Sequence, residues 1–385
     1  MKHRRILAIG LSGNARMRGV ERVVFESLKA VSLLNSDGAV ALEIVLLAGQ
    51  WQTYYQPLVK YGIRIHSVDF PNRLIYRHLF CWFVVPWLSR RYDVVHLFNT
   101  LPLSASGAGR TIVTIHDLAE FARPDKYGIL QAAYRRMVVR YVTRIADVIL
   151  TVSTFSQRQI EHFLPSTKVL VVPNGVDHLS PVANLAMHID GDPESTSVLP
   201  SPAGLSSPPL DSTPYFLSYG VIERTKGLDR ALTGFERMKM AFPDCPHRFI
   251  IVGEKGNLFD EIEPFLSRSD VVYLGFVDDD VIARLIRGAT AVVFLSEYEG
   301  FGFPPLEAIS LGVCVIVSRD TVLDELCSPY CLTADPLNVD EIATALTIAS
   351  QGRLPWSPVS AAVSIRERLS WASAAQIIAE LYQSE

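Results

Sequence analysis

The chain of 385 residues is poor in cysteine, and its cysteines form neither a CxxC pair nor the dense, even spacing of a disulfide framework. The five are Cys81, Cys245, Cys314, Cys327 and Cys331. This usage excludes a small disulfide-stapled secreted fold and suits a reducing cytoplasm. Clusters of His and Cys with metal-ligand spacing are lacking too, so we expect no metal and no cofactor.

Long apolar runs are also missing. No stretch reaches the roughly 18 consecutive apolar residues that a membrane-spanning helix needs. Near the start, the apolar run Ile6–Leu11 is shorter than the roughly 7 to 15 residues of a signal-peptide core, and we interpret it as a first strand. We therefore expect a cytoplasmic protein, acting at the inner face of the membrane.

The dinucleotide-binding pattern GxGxxG is absent from the first strand-to-helix turn. Gly10, Gly13 and Gly19 lie in this region, but their spacing does not fit the pattern. This argues against an NAD-dependent dehydrogenase, although the parallel sheets predicted below would suit one.

Apolar residues, in contrast, make up 49% of the chain and charged residues 20%, which is typical of a packed globular protein. A chain of this length favours two domains. Short apolar runs alternate with helical patterns from residue 5 to 172, and again from 215 to 318. This alternation predicts two α/β domains with doubly wound parallel sheets.

The predicted division follows from a break in this alternation. Residues 1–177 are predicted to form one Rossmann-like domain, and residues 214–370 are predicted to form a second. The stretch 178–213 between them is crowded with Pro, Ser, Gly and Asp, like a linker or surface excursion. Residues 371–385 are predicted to be a helix that packs back on the first domain. Two facing sheets enclose a cleft, and open parallel sheets bind ligands beyond the carboxyl ends of their strands.

Charge is divided unevenly along the chain. The formal charge is +10 for residues 1–180 and −14 for residues 181–385. A basic half would attract anionic lipid headgroups or a phosphate-bearing acceptor. A solvated basic surface without a ligand explains the same counts.

One apolar, aromatic segment, Leu79–Leu88, is flanked by arginines. Arg73 and Arg77 precede it, and Arg90 and Arg91 follow it. Aromatic and basic residues together favour a segment on an anionic membrane surface. A buried helix of the first domain is the alternative, and the sequence leaves both open.

The most informative segment is Ser296–Ala308, which follows an apolar strand and leads into a helix. Gly300 and Gly302 allow backbone N–H groups to approach a ligand closely, and the helix amino terminus favours phosphate. Glu299 and Glu307 can flank this position as acceptors for sugar or ribose hydroxyls. The segment therefore predicts a site for a polyhydroxylated anion. A glycine-rich turn with a capping acid is the plainer interpretation.

Within this segment, the stretch EGFGFPPLEA resembles the E-x7-E signature of the retaining family 4 glycosyltransferases, which have the GT-B fold. The resemblance implies that Glu307 accepts hydrogen bonds from the nucleotide ribose and that Glu299 contacts the transferred sugar. It also assigns donor binding to the backbone between them, at Gly300, Phe301, Gly302 and Phe303.

A second stretch, Ser218–Leu228, resembles the strand, loop and helix start that supply cations for the donor diphosphate in that family. Lys226, just before Gly227, fits the need for a cation at a helix amino terminus. Arg224 is the second candidate cation, separated from Lys226 by Thr225. Two ordinary surface cations are the alternative interpretation.

Three further positions follow from the fold. His116 comes directly after an apolar strand, where the family often has a histidine that points at the donor sugar. His96 is a parallel case with less support. Gly19 occupies the place of the glycine-rich loop before the first helix, where the family usually shows a glycine pair. Catalytic roles are assigned to Glu299, His116 and Lys226.

The resemblance implies transfer of a hexose from a nucleotide sugar to a lipid-linked or saccharide acceptor, with retention of configuration. It also implies that residues 1–177 bind the acceptor and residues 214–370 bind the nucleotide sugar. The segment GFGFPPLEA resembles family members that use GDP-mannose, which favours transfer of mannose in polysaccharide or glycolipid synthesis. The nucleotide sugar is a substrate, an anionic membrane is an expected partner and nucleic acid is not.

Two rival functions belong to other classes. A nucleotide-sugar epimerase would share the two-domain architecture, and a non-catalytic membrane scaffold would not need the two glutamates and the lysine. The triplet Asp278–Asp280 contains D-x-D, but it precedes a helix, where acids complement the positive helix end rather than bind a metal.

Overall fold

The computed structural model describes residues 3–11, 18–35, 38–48, 54–71, 73–103, 107, 109–123, 126–165, 168–179 and 213–384. The predicted linker, residues 178–213, lies outside the described residues except at its two ends.

The first domain contains a seven-stranded sheet with the strand order β3-β2-β1-β4-β5-β6-β7. Every pair of neighbouring strands in this sheet is parallel. The strands are β1 (Arg4–Ile9), β2 (Val40–Leu47), β3 (Arg64–Val68), β4 (Val94–Leu97), β5 (Arg110–Ile115), β6 (Val148–Thr151) and β7 (Val169–Val171).

Helices connect these strands. They are α1 (Gly19–Leu34), α2 (Leu74–Leu79), α3 (Val85–Ser89), α4 (Ala119–Ala122), α5 (Ile129–Ile145) and α6 (Thr154–Phe163). A π-helical turn, Phe80–Val84, joins α2 to α3, and 3-10 turns lie at Gln56–Tyr61 and Asp177–Leu179. The sequence favours Thr154 with Gln157 as the capping pair of α6, which is wrong: Ser153 is the cap, and its hydroxyl accepts from the Ser156 amide.

The second domain contains a six-stranded sheet with the order β10-β9-β8-β11-β12-β13, again entirely parallel. The strands are β8 (Tyr215–Tyr219), β9 (Arg248–Val252), β10 (Val271–Tyr273), β11 (Ala291–Phe294), β12 (Cys314–Ser318) and β13 (Leu332–Ala334). The helices are α7 (Leu228–Ala241), α8 (Phe259–Leu266), α9 (Asp279–Gly288), α10 (Phe303–Ser310), α11 (Val322–Cys327), α12 (Val339–Ser350), α13 (Pro358–Arg368) and α14 (Trp371–Gln383).

Central strands are continuously apolar because both of their faces are covered. In β1, Ile6 and Ala8 pack in the cluster that includes α1 and α14, whereas Leu7 and Ile9 pack in the cluster that includes α5. Successive side chains of a strand point to opposite faces, so both faces need apolar residues. The predicted fold class, two doubly wound parallel-sheet domains, is confirmed.

The last helix lies against the first domain. Trp371, Ile378 and Tyr382 of α14 are buried in one cluster with residues of α1 and β1. The Tyr382 hydroxyl is hydrogen-bonded to Nδ1 of His96 at 2.7 Å. The chain therefore crosses between the domains a second time before α14. The predicted domain limits themselves stay predictions.

Candidate active site between the two domains

The loop between β11 and α10 lies where the two domains touch. A Cβ atom added at Gly300 would come 2.0 Å from the carbonyl oxygen of His116, in the first domain. Gly302 has a φ of +87°, and a Cβ there would lie 2.2 Å from Cδ2 of Leu323. Both positions therefore require glycine, one for close approach of the other domain and one for its left-handed backbone.

A cavity of about 540 Å³ opens beside this loop, at the carboxyl ends of strands from both sheets. Nine of the ten residues predicted to form the site line it. They are Gly19 and His116 from the first domain, and Lys226, Glu299, Gly300, Phe301, Gly302, Phe303 and Glu307 from the second. Open parallel sheets bind ligands in this position.

Arg224 is the exception. Its guanidinium forms an ion pair with Glu261, its side chain is 65% exposed, and it is not part of the cavity lining. Because the 3-10 turn Arg224–Lys226 turns Arg224 outward, the structure brings only Lys226 of the two predicted cations into the cavity.

Glu307 is buried in the first turns of α10 and faces the cavity. Its Oε1 accepts from Nε2 of His178 at 2.9 Å, and its Oε2 accepts from the Tyr219 hydroxyl at 2.8 Å. Burial alone would raise the pKa of Glu307, but these hydrogen bonds and the charge of Arg22 outweigh it and lower the pKa. The group is therefore a carboxylate at neutral pH, with free lone pairs for a ligand hydroxyl.

His178 is itself fixed by a third side chain. Nε1–H of Trp371, the first residue of α14, donates to Nδ1 of His178 at 3.3 Å. Since Nδ1 accepts, Nε2 carries the proton that is donated to Glu307. The sequence offered no motif for His178, because its role depends on the return of α14 to the interdomain crossing.

Glu299 forms an ion pair with Lys226, and both side chains are mostly buried at the cavity wall. The ammonium group of Lys226 also lies 5.3 Å from the centre of the Phe294 ring. A Cβ at Gly227 would come 2.4 Å from the Leu295 carbonyl oxygen, so this glycine allows the lysine loop to pack against the end of β11. A cation and a carboxylate are thereby held side by side.

His116 contributes from the end of β5. Its Nε2 donates to the carbonyl oxygen of Phe98 at 2.8 Å, and burial lowers the pKa of the ring. The ring is therefore neutral, and its Nδ1 is an acceptor. His96 does not share this position: it is fully buried between Tyr382 and Thr114, and burial lowers its pKa to about 3.

Arg22 and Asp279 also line the cavity and were missed by the sequence interpretation. They form an ion pair of 2.7 Å between α1 of the first domain and α9 of the second. Asp279 lies in the first turn of α9, as expected for an acid at a positive helix end, but its partner is an arginine of the other domain.

Between the described parts of the two domains, the ion pairs have a consistent sign. In five of them, the first domain supplies the cation and the second supplies the anion. They are Arg18–Glu254, Arg22–Asp279, Arg123–Glu297, Lys126–Glu223 and Arg158–Glu325. The unequal charge of the two halves is thus partly used to hold the cleft together.

Two family models match the chain, and together they cover most of it. Residues 17–178 match "Glycosyltransferase Family 4", and residues 206–354 match "Glycosyl transferases group 1". The first range contains β2 to β7 and the second contains β8 to β13, and together they include all ten predicted site residues.

Several curated relatives at modest identity are named as mannosyltransferases. The chain is 28% identical over 271 residues to "O-antigen chain mannosyltransferase B" of Escherichia coli, which covers 68% of this chain and 67% of that protein. It is 25% identical over 354 residues to "Serotype-specific mannosyltransferase WbdA" of Escherichia coli. That match covers 86% of this chain but 39% of the longer relative.

Solved structures with the same fold include HepE of Anabaena in complex with UDP-glucose, with a TM-score of 0.71 at 17% identity over the whole of both chains. WaaG, a glycosyltransferase involved in lipopolysaccharide biosynthesis, has a TM-score of 0.67 at 13% identity over 99% of this chain and all of that one. At this identity the likeness establishes the two-domain GT-B fold.

Proposed function

Because the chain belongs to the family 4 glycosyltransferases, we propose that it transfers a hexose from a nucleotide-sugar donor to a lipid-linked or saccharide acceptor, with retention of anomeric configuration. The donor is held mainly by the second domain, and the acceptor approaches from the first. Closure of the cleft excludes water, so that transfer is faster than hydrolysis.

The observation that carries this proposal is the grouping of Glu299, Glu307 and Lys226 around the amino terminus of α10 in one interdomain cavity. A helix amino terminus and a lysine suit a diphosphate, and two carboxylates suit hydroxyl groups. A nucleotide sugar presents both kinds of group on one molecule.

The proposed roles follow from this chemistry. Glu307 accepts from the ribose hydroxyls, and Glu299 accepts from the transferred sugar, near the amides of Phe301, Gly302 and Phe303. Lys226 exchanges part of its pairing with Glu299 for the donor diphosphate when the donor binds.

We propose a same-face route for the transfer. The bond between the anomeric carbon and the diphosphate breaks, and a bond from the acceptor hydroxyl forms on the same face of the sugar. The leaving phosphate oxygen takes the hydroxyl proton, while Lys226 stabilises its negative charge. Nδ1 of His116 accepts a hydrogen bond from the sugar and thereby orients it.

We propose mannose as the sugar and GDP-mannose as its donor. The GFGFPPLEA segment and the two Escherichia coli relatives named as mannosyltransferases support this choice. One relative is named for O-antigen chains, which supports a role in surface polysaccharide synthesis on the cytoplasmic side of the membrane.

The alternative of a nucleotide-sugar epimerase is not supported. The family matches and the relatives described above are transferases, and an epimerase has no separate acceptor. Incubation with labelled donor alone distinguishes the two, since only an epimerase would convert it to an isomer.

Thermal unfolding with a panel of GDP-mannose, UDP-glucose, GDP, UDP and AMP tests the donor class. A ligand that binds only the folded form at about 100 times its Kd stabilises it by about 2.7 kcal/mol, a shift of several degrees. We expect the largest shift with GDP-mannose, a smaller shift with GDP and none with AMP. Equal responses to all five, or to none, would contradict a nucleotide-sugar site.

A further inference from the structure

The segment Leu79–Leu88, left open by the sequence, is amphipathic in the structure. The run from α2 through the π turn to α3 exposes Ile75, Leu79, Phe83 and Trp87, four residues apart, by 45 to 67%. Residues on its opposite side, Cys81, Val85 and Ser89, are buried. The segment is therefore packed on one side, while a row of large apolar side chains faces outward.

Helix α5 lies beside this row and extends it. The Tyr134 hydroxyl is hydrogen-bonded to Nδ1 of His78, and the Tyr141 ring lies 5.4 Å from that of Trp82. On the same face of α5, Leu130 is 87% and Met137 is 57% exposed, since positions 130, 134, 137 and 141 follow helical spacing.

These two elements form one surface, which we call the apolar face. It consists of Ile75, Leu79, Phe83, Trp87, Leu130 and Met137. Contiguous apolar patches of this kind are uncommon on monomeric proteins and mark an interaction site.

The charged residues of the two elements that carry the apolar face have one sign. Residues 73–91 and 129–145 together contain eight arginines and no aspartate or glutamate. Arg91 stacks over the Trp87 ring, 5.1 Å from its centre. A second copy of the chain docked through this face would place arginines against arginines, because a two-fold interface joins identical surfaces. The face therefore suits an extended anionic partner.

We propose that the apolar face docks on a bilayer that contains anionic phospholipid. Phe, Trp and Leu side chains insert at the level of the headgroups, and the arginines contact lipid phosphates, as in helices that lie in the membrane interface. The proposed contact is peripheral, at the level of the headgroups. Among the described residues, no helix is long and apolar enough to cross a membrane.

The apolar face begins close to the cleft. Lys126 lines the cavity, and α5 starts three residues later, a chain length of about 10 Å. An acceptor anchored in the bilayer would therefore meet the cavity near the membrane surface. Only this last point rests on the proposed function.

Co-sedimentation of the full chain with vesicles tests the docking. We expect binding to vesicles of phosphatidylglycerol and phosphatidylcholine, weak binding to phosphatidylcholine alone, and release at an ionic strength of about 1 M, where the Debye length is about 3 Å. The double variant Phe83→Ser/Trp87→Ser should bind at least about tenfold more weakly.

Met240→Ser/Phe242→Ser is the matched control, since these two exposed apolar residues lie on the second domain. It should bind vesicles like the unaltered chain, and both double variants should keep their melting temperature. Equal binding by the two double variants would overturn the proposal. So would concentration-dependent dimerisation without vesicles that Phe83→Ser/Trp87→Ser abolishes, because a second copy would then be the partner.

Thermal unfolding with the nucleotide panel described above is measured separately on the same protein. Vesicle binding without any nucleotide response would support docking through the apolar face and contradict the proposed function. A nucleotide response without vesicle binding would support the proposed function and contradict the docking.

Discussion

Glu307 is held by side chains from three segments that are distant in sequence. Trp371 fixes the tautomer of His178, His178 donates to one carboxylate oxygen, and Tyr219 donates to the other. Hydrogen bonds to a charged group contribute about 1.5 to 3 kcal/mol each. The orientation of the proposed ribose-binding carboxylate therefore depends on His178, a residue at the interdomain crossing.

Replacement of His178 tests this dependence. His178→Leu should raise the KM for the donor by roughly 10- to 100-fold, with a smaller change in kcat, because a bond of this size to Glu307 is lost. His178→Gln keeps a donor group and should recover most of the affinity. The bond lowers the pKa of Glu307, so its loss should raise that pKa and move the acid limb of the kcat/KM profile to higher pH. An unchanged acid limb and KM in His178→Leu would show that His178 has only a packing role.

At this scale the sequence predicts residues that lie in ordered motifs and misses those that depend on tertiary contacts. Glu299 and Glu307 are separated by a fixed loop and one helix turn, so the local pattern places both at the cavity. His178 contacts Glu307, and Arg22 lines the cavity, only because α14 and α1 pack as they do. Arg224 is two residues from Lys226, but the intervening 3-10 turn directs it away.

The β11–α10 loop joins the domains through Gly300, and Gly300→Ala tests that contact. Its Cβ would meet the His116 carbonyl oxygen at 2.0 Å, so the loop or the first domain must move. We expect a loss of about tenfold or more in kcat/KM, since small displacements of reacting groups are costly. Gly128→Ala is the control, because nothing lies within 4 Å of the added atom. Equal activity of the two variants would contradict a close fit at Gly300.

Strands of this fold can be predicted well because both faces of the sheets are buried, so that β1 or β11 appears as a continuous apolar run. The strand-like runs at residues 64–68, 94–97, 148–151 and 215–219 predict β3, β4, β6 and β8 with the bounds that the structure has. Strand β13 was missed because its sequence, Leu-Thr-Ala, is not a continuous apolar run like those of the equally short β7 and β10. Helix α8 was missed too, and it contains Pro264, which reads locally as a helix breaker.

The whole molecule uses its charge asymmetry in two places. The first domain supplies cations to the interdomain ion pairs, and eight of its arginines lie in the two elements that carry the apolar face. The sequence interpretation considered a ligand or a solvated surface for the basic half, but not the acidic half of the same chain. Such pairing appears only when the two sheets are placed face to face.

Salt should therefore loosen the cleft. Exposed ion pairs contribute about 0.2 to 1 kcal/mol each and are screened at high ionic strength. Without ligand, we expect the radius of gyration from small-angle scattering to increase between about 0.01 and 1 M ionic strength. Arg158→Glu should lower the salt needed for this expansion, and Arg158→Glu/Glu325→Arg should restore it, because the pair is re-formed with its charges exchanged. A radius independent of salt would show that the pairs do not hold the domains.

The central claim is that the carboxylate of Glu307 holds the ribose of a nucleotide sugar in the interdomain cavity, and titration calorimetry of GDP-mannose tests it most directly. Glu307→Ala should weaken binding by at least about tenfold, while Glu263→Ala, which removes an exposed carboxylate of α8, should bind like the unaltered chain. Equal affinity in all three proteins would contradict the claim.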